Sequence, residues 1–187
     1  PIHPGLAMIA DVGLTHALDL TRRIGWPSDI HLIEDHWMRV VESTRPASPY
    51  SLYQVRIDLR VNLFATATGS ICLSQMDMAH VRALYDDPTP ALQYRPDRYN
   101  MSWQNVVDHL DKVRRQGYGE RIQNFRGEIT PNDKLFVIAL PLRKNGRLCG
   151  AISLLWPKVL MQPDAFAALY LDDLAETVTR INAPLDA

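Results

Sequence analysis

Leu135-Phe136-Val137-Ile138-Ala139-Leu140-Pro141-Leu142, followed after Asn145-Gly146 by Leu148-Cys149-Gly150-Ala151-Ile152-Ser153-Leu154-Leu155-Trp156, holds the two most apolar runs of the chain. Each has the length of a strand, and the Asn-Gly between them suits a two-residue hairpin turn, whose central residues both need positive φ. The pair therefore reads as an antiparallel hairpin at the centre of a sheet. Downstream, Pro163 is a good first-turn residue for a last helix running through Phe166, Leu169, Leu174, Val178 and Ile181.

Upstream of the hairpin, Tyr118 to Asp133 alternates poorly and reads as strand edges and loop. Before it, Ser102 caps a helix whose Trp103, Val106, Leu110 and Val113 form an apolar stripe, a pattern of core packing, and Gly117 stops it. Asp77 caps a shorter helix carrying His80, Val81, Leu84 and Tyr85, and the three prolines between Asp86 and Tyr99 impose an irregular segment.

The stretch that organises the remainder is Val61-Asn62-Leu63-Phe64-Ala65-Thr66-Ala67-Thr68-Gly69-Ser70-Ile71-Cys72-Leu73-Ser74-Gln75-Met76. An extended run from Tyr53 to Leu63, with Val55, Ile57, Leu59, Val61 and Leu63 alternating with polar residues, leads into it. Ala65 to Gly69 lack bulk, and a helix beginning near Thr68 would offer its first, unpaired N–H groups to an anion. A tightly packed strand-to-helix corner with no ligand is the other reading of the same residues. At the N-terminal end, Pro4 to Ile24 is a long amphipathic helix ended by Gly25-Trp26-Pro27, and Asp29–Asp35 and Met38–Ser43 form a hairpin joined at His36-Trp37. First and last long helices around such strands predict an α/β (α+β) fold, an antiparallel sheet with helices on its faces, in a single domain over 1–187.

Composition narrows the function. The chain has 187 residues, 47% hydrophobic and 22% charged, with formal net charge −1. That is the profile of an ordinary globular domain with a sizeable core, and the balance of charge argues against a free-standing nucleic-acid binder. No run approaches the ~20 apolar residues of a membrane span, and no signal peptide is visible. The densest basic stretch, Lys112 to Arg126, begins as cations in the last turn of a helix, where they offset its dipole. Cys72 and Cys149 have no partner at ligand spacing, so neither zinc nor disulfides are indicated and a reducing, cytoplasmic compartment is expected. The string His31-Leu32-Ile33-Glu34-Asp35-His36 looks metal-like, yet on a strand His31 and Asp35 lie ~13 Å apart at ~3.3 Å per residue, too far for one ion. Cys72, His80 and Asp77 suggest a Cys-His hydrolase, but no oriented base or oxyanion site accompanies them, and no enzyme is expected.

Four motifs now carry a family resemblance: Leu63 through Ser70, Arg115-Gln116-Gly117-Tyr118-Gly119, Ile138 through Leu142, and Gly146 through Leu154. In this order and spacing the chain resembles, over nearly its whole length, the C-terminal effector-binding domain of IclR-type bacterial transcription regulators. Trp26-Pro27-Ser28-Asp29 and Gly117-Tyr118-Gly119 are most similar to the subgroup that includes regulators of phenylpropionate catabolism. The resemblance implies a GAF-like α/β domain, a homodimer or homotetramer, and DNA binding only through an N-terminal winged helix-turn-helix absent from this chain. It implies a small organic acid as effector and no cofactor.

It also implies the site. The effector's carboxylate is expected on the backbone amides of the small-residue loop, at Ala67 and Thr68 with Phe64, Thr66 and Gly69 around them. Val137 on the first central strand and Ser153 and Leu155 on the second are expected to complete the pocket. Ser70 stands where the family usually has Lys, and Val137 and Leu155 replace polar positions, which favours an apolar or aromatic ligand body. Arg121 and Arg126 are candidates for a bidentate pair with the carboxylate, although surface arginines are common, and Ser153 also suits a purely local hydrogen bond. A dimerisation module without a ligand is the remaining alternative.

Overall fold

In the computed structural model, which describes residues 4–50, 52, 54–129 and 131–186, the chain begins with helix α1 (Pro4–Ile24) and the hairpin β1 (Ser28–Glu34) and β2 (Trp37–Ser43). Strand β3 (Arg60–Asn62) enters helix α2 (Ala67–Ser74), followed by α3 (Met78–Asp86) and α4 (Trp103–Gln116). The two-residue strand β4 (Gly119–Glu120), the long hairpin β5 (Leu135–Lys144) and β6 (Arg147–Pro157), and helix α5 (Pro163–Leu185) complete it. The strands form one antiparallel six-stranded sheet in the order β3-β2-β1-β6-β5-β4. The fold is α+β, with long first and last helices.

Two cores lie on the two faces of the sheet, because side chains alternate along each strand. On β1, Ile30 and Leu32 join Ile138, Ile152, Leu154 and Trp156 beneath α1 and α5. There Phe166 of α5 stacks on Trp156 with ring centres 3.7 Å apart. On the other face Val40, Val137, Ala139 and Leu155 pack with Ile71 and Leu73 of α2 and Val106, Leu110 and Val113 of α4. Leu169 of α5 departs from the expected stripe: it is 59% exposed, on the outer side of the helix.

Turn and cap chemistry set the ends of these elements. Asn145 and Gly146 take φ of 51° and 73°, so the β5–β6 connection has the positive-φ turn that Asn-Gly favours. The Ser102 hydroxyl accepts from the Asn105 amide at 3.1 Å while Asn105 Oδ1 accepts from the Ser102 amide at 2.9 Å, a reciprocal cap for α4. Asp77 caps α3 by accepting from the Ala79 amide at 2.9 Å.

The expected strand from Tyr53 to Leu63 shortens to Arg60–Asn62, with Tyr53 itself outside the described residues. Asp58 sits at φ 69° in a turn closed by the Leu59 amide on the Arg56 carbonyl, and among the described residues only there, where Val40 accepts from the Asp58 amide and donates to the Leu59 carbonyl, does the segment before β3 bond to β2. Val55 and Leu59 of this segment pack against the core on the α2 face of the sheet. Among the described residues no helix is long and apolar enough to cross a membrane.

Candidate functional site

The corner between β3 and α2 is built on Asn62, which is fully buried. Its Oδ1 accepts from the amides of Phe64 (2.9 Å) and Ala65 (3.1 Å), and its Nδ2 donates to the carbonyls of Gln93 (3.0 Å) and Arg95 (3.1 Å). One side chain thus satisfies the backbone of a tight turn and ties it to the neighbouring loop. Thr66 is the N-cap of α2: its hydroxyl accepts from the Gly69 amide at 3.1 Å and donates to the Asn62 carbonyl at 2.8 Å. The Ser70 amide reaches the Thr66 carbonyl at 2.9 Å. The amides of Ala67 and Thr68 are then the two in the first turn with no hydrogen-bond acceptor among the described residues, at the positive end of the helix dipole.

These amides adjoin a cavity on the α2 face of the sheet. It has a volume of about 80 Å³, several times the ~10–15 Å³ that one water requires. Thr66, Ala67 and Thr68 line it from α2, and Val40, Val61, Val137, Ser153 and Leu155 from the strands. Val137 and Leu155 are direct cross-strand neighbours on β5 and β6, and Ser153 pairs with Asp29 on β1. Gln54, Val55 and Leu59 close it from the loop before β3, and Phe125, Gly127, Glu128 and Ile129 from the segment after β4. Gln54 and Ile129 are exposed, so the cavity reaches the surface there.

Seven of the ten expected residues therefore come together: Thr66, Ala67, Thr68, Arg121, Val137, Ser153 and Leu155. Three do not line the cavity. Phe64 packs edge-on to Tyr85, with ring centres 6.2 Å apart. Gly69 serves packing, since a Cβ there would lie 1.9 Å from the Leu63 carbonyl oxygen. Arg126 is exposed. The Ser153 hydroxyl donates to the Asp29 carbonyl at 3.3 Å, so it has a local partner as well as a place in the wall.

Charge in the cavity wall is balanced by the protein itself. Arg45 donates to Asp29 from Nε (3.3 Å) and Nη2 (2.7 Å), both side chains being buried. Arg121 donates to Asp133 from Nη1 (2.8 Å) and Nη2 (2.7 Å). The fork expected for a ligand carboxylate is thus occupied by an internal one. Glu128 accepts the Asn62 amide at 2.6 Å, and burial raises its carboxyl above the usual range. His31 lines the same wall: its Nδ1 lies 2.6 Å from the Thr68 hydroxyl oxygen, and burial lowers its pKa to about 4, leaving it neutral at pH 7. Asp29, His31, Arg45, Glu128 and Asp133 are the charged and histidine residues of the lining that the sequence reading did not place in the site. Asp29 and His31 stand two apart on β1, a spacing that puts both side chains on one face of the strand.

The Cys-His pair does not assemble. The Cys72 thiol is buried and donates to the Gly150 carbonyl at 3.4 Å, burial pushes its pKa up, and His80 is exposed on α3. A buried, protonated thiol is a poor nucleophile. Elsewhere in the basic stretch, Lys112 pairs with Glu120 at 2.6 Å.

No family model matches the chain. Solved structures do. The C-terminal domain of the Escherichia coli transcriptional regulator KdgR matches with a TM-score of 0.70 and 18% identity over 96% of this chain and 99% of that one. The chain shares its fold. An IclR homolog from Microbacterium hydrocarbonoxydans, in complex with 4-hydroxybenzoate, matches with a TM-score of 0.70 and 18% identity over 98% of this chain and 70% of that one. The inducer-binding domain of the transcription factor PobR from Acinetobacter, a double mutant in complex with 3-hydroxybenzoic acid, gives 0.68 and 17% over 91% and 95%.

Proposed function

We propose that this chain is the effector-binding domain of an IclR-type transcription regulator and that its cavity binds a small, carboxylate-bearing metabolite with an aromatic or other apolar body. The observation that carries the reading is the pair of uncommitted amides, Ala67 and Thr68, at the start of a buried helix beside a cavity walled by Val40, Val61, Val137 and Leu155. A helix N-terminus favours the carboxylate, and the valine and leucine wall favours the body. The shared fold supports it, as do the hydroxybenzoates bound by two of the proteins of that fold. In this reading the domain acts as a homodimer or homotetramer in the cytoplasm, and DNA is bound by a winged helix-turn-helix N-terminal to it. Effector binding changes DNA occupancy or transcription.

The test is calorimetric titration with benzoate, 3- and 4-hydroxybenzoate, 3-phenylpropionate and hexanoate. Saturable binding of at least one is expected, together with stabilisation of about 2.7 kcal/mol at a hundredfold excess over Kd. Folded protein that binds none of them and gains no stability would leave a dimerisation module as the better description.

A further inference from the structure

Among the described residues, two buried side-chain atoms have no hydrogen-bond partner, Ser28 Oγ and His31 Nε2, and of these two residues only His31 lines the cavity. An orphaned buried nitrogen is a standing destabilisation that native proteins seldom keep without use. Its tautomer follows from a count of unmet groups. The Thr68 hydroxyl has no other hydrogen-bond partner among the described residues, and it sits 2.6 Å from His31 Nδ1. With the proton on Nδ1, the Thr68 O–H would lack an acceptor and Nε2 would hold an unshared lone pair. With the Thr68 hydroxyl donating to Nδ1, the proton sits on Nε2 and a single N–H is left unmet.

We propose that this Nε2–H is a third donor of the anion corner, bonding one oxygen of the ligand carboxylate whose other oxygen sits on the Ala67 and Thr68 amides. The inference rests on the cavity being the effector site. It makes the Thr68 residue work twice, its amide as a donor to the ligand and its hydroxyl as the positioner of the imidazole. Because Arg45 and Arg121 are held by Asp29 and Asp133, the anion is received by three neutral donors. Such a site suits one negative charge, so the ligand class is a monocarboxylate rather than a phosphate or a dicarboxylate.

The experiment uses the full chain and whichever acid of the benzoate, hydroxybenzoate, phenylpropionate and hexanoate panel binds the unsubstituted protein most tightly. His31→Phe, which keeps ring bulk and removes the donor, is expected to weaken that acid at least tenfold without lowering the melting temperature of the ligand-free protein. Thr68→Val, which keeps the amide, is expected to weaken it less. In the unsubstituted protein, nitrogen NMR of the imidazole is expected to show a protonated Nε2 whose proton moves downfield on adding the acid. Affinity within twofold in His31→Phe, or an Nε2 resonance that ignores the acid, overturns the assignment while leaving the effector site intact. No binding by any acid overturns both. Should His31→Phe fail to fold, the NMR measurement decides alone.

Discussion

Arg121 and Asp133 meet as a two-pronged ion pair at 2.8 and 2.7 Å, and the same guanidinium donates to the Leu135 carbonyl at 3.1 Å, so the segment after β4 is pinned to the start of β5. Their side chains are 13% and 9% exposed. Removing one partner from so sheltered a pair strands the other charge. Arg121→Ala is therefore expected to cost about 3 kcal/mol in urea unfolding, whereas the paired change Arg121→Met with Asp133→Leu costs far less. The paired variant should also keep acid binding within a few-fold, because the guanidinium is already committed. Loss of binding in the paired variant with stability retained would make Arg121 a direct ligand contact.

The same balance of charges makes Glu128 an obstacle to an anion. Glu128→Gln preserves an oxygen to accept the Asn62 amide and removes the charge. It is expected to tighten benzoate binding several-fold at pH 7 and to flatten its pH dependence. In the unsubstituted protein a bound carboxylate raises the Glu128 pKa further, so affinity should increase as pH falls from 7 to 5.5. Calorimetry in two buffers of different ionisation enthalpy checks the accompanying proton uptake, which should vanish in Glu128→Gln.

His31 gives a stability prediction of its own. Its folded pKa, about 4, lies below the ordinary 6.5 because burial penalises the charged ring and Arg45 and Arg121 oppose it, against a raising influence of Asp29. The unfolded chain therefore binds the extra proton first. The contribution is fully present above pH 6.5 and is lost as pH falls toward 4, by up to about 3 kcal/mol. His109, also lowered by burial, acts in the same direction. Urea unfolding between pH 7 and pH 4.5 should show stability falling with pH, with a shallower slope in His31→Phe. Equal slopes would mean that the ring is not buried neutral.

Local chemistry made much of the fold readable. Asn145-Gly146, the Ser102 cap and the proline at 163 are short-range signals, and each marks an element boundary that the structure keeps. The alternation of Val55, Ile57 and Leu59 was a weaker guide. Val55 and Leu59 do turn inward, but onto a cavity from a loop, while Ile57 is 44% exposed. Alternation records which side chains are buried, not whether the backbone pairs. The cavity's apolar wall, Val137 and Leu155, was legible only through the family resemblance, which placed pocket positions on the two most apolar strands. Its charged part was not: Arg45 follows β2 and Asp133 lies twelve residues beyond Arg121, so each ion pair exists only after the sheet and its loops have closed. Arg121 accordingly looked available for a ligand when its partner was already in the chain.

The start of α2 can be tested without disturbing the helix. Thr66 has φ −84° and ψ 156°, an extended conformation that tolerates a following proline, and Ala67 is the first helical residue, where proline is favoured. Ala67→Pro removes one N–H that has no intrahelical acceptor. Thr68→Pro is the less clean change, because it would press on the helical conformation of Ala67. If the anion sits on these amides, Ala67→Pro should weaken the tightest acid of the panel at least tenfold while the helical circular dichroism stays unchanged and the melting temperature stays within a few degrees. Unaltered affinity would place the carboxylate elsewhere in the cavity. A neighbouring control separates the two roles of the corner: Gly69→Ala leaves the amides in place but drives a Cβ onto the Leu63 carbonyl oxygen. It should therefore unfold the protein at lower temperature, and its loss of binding should track the loss of folded protein.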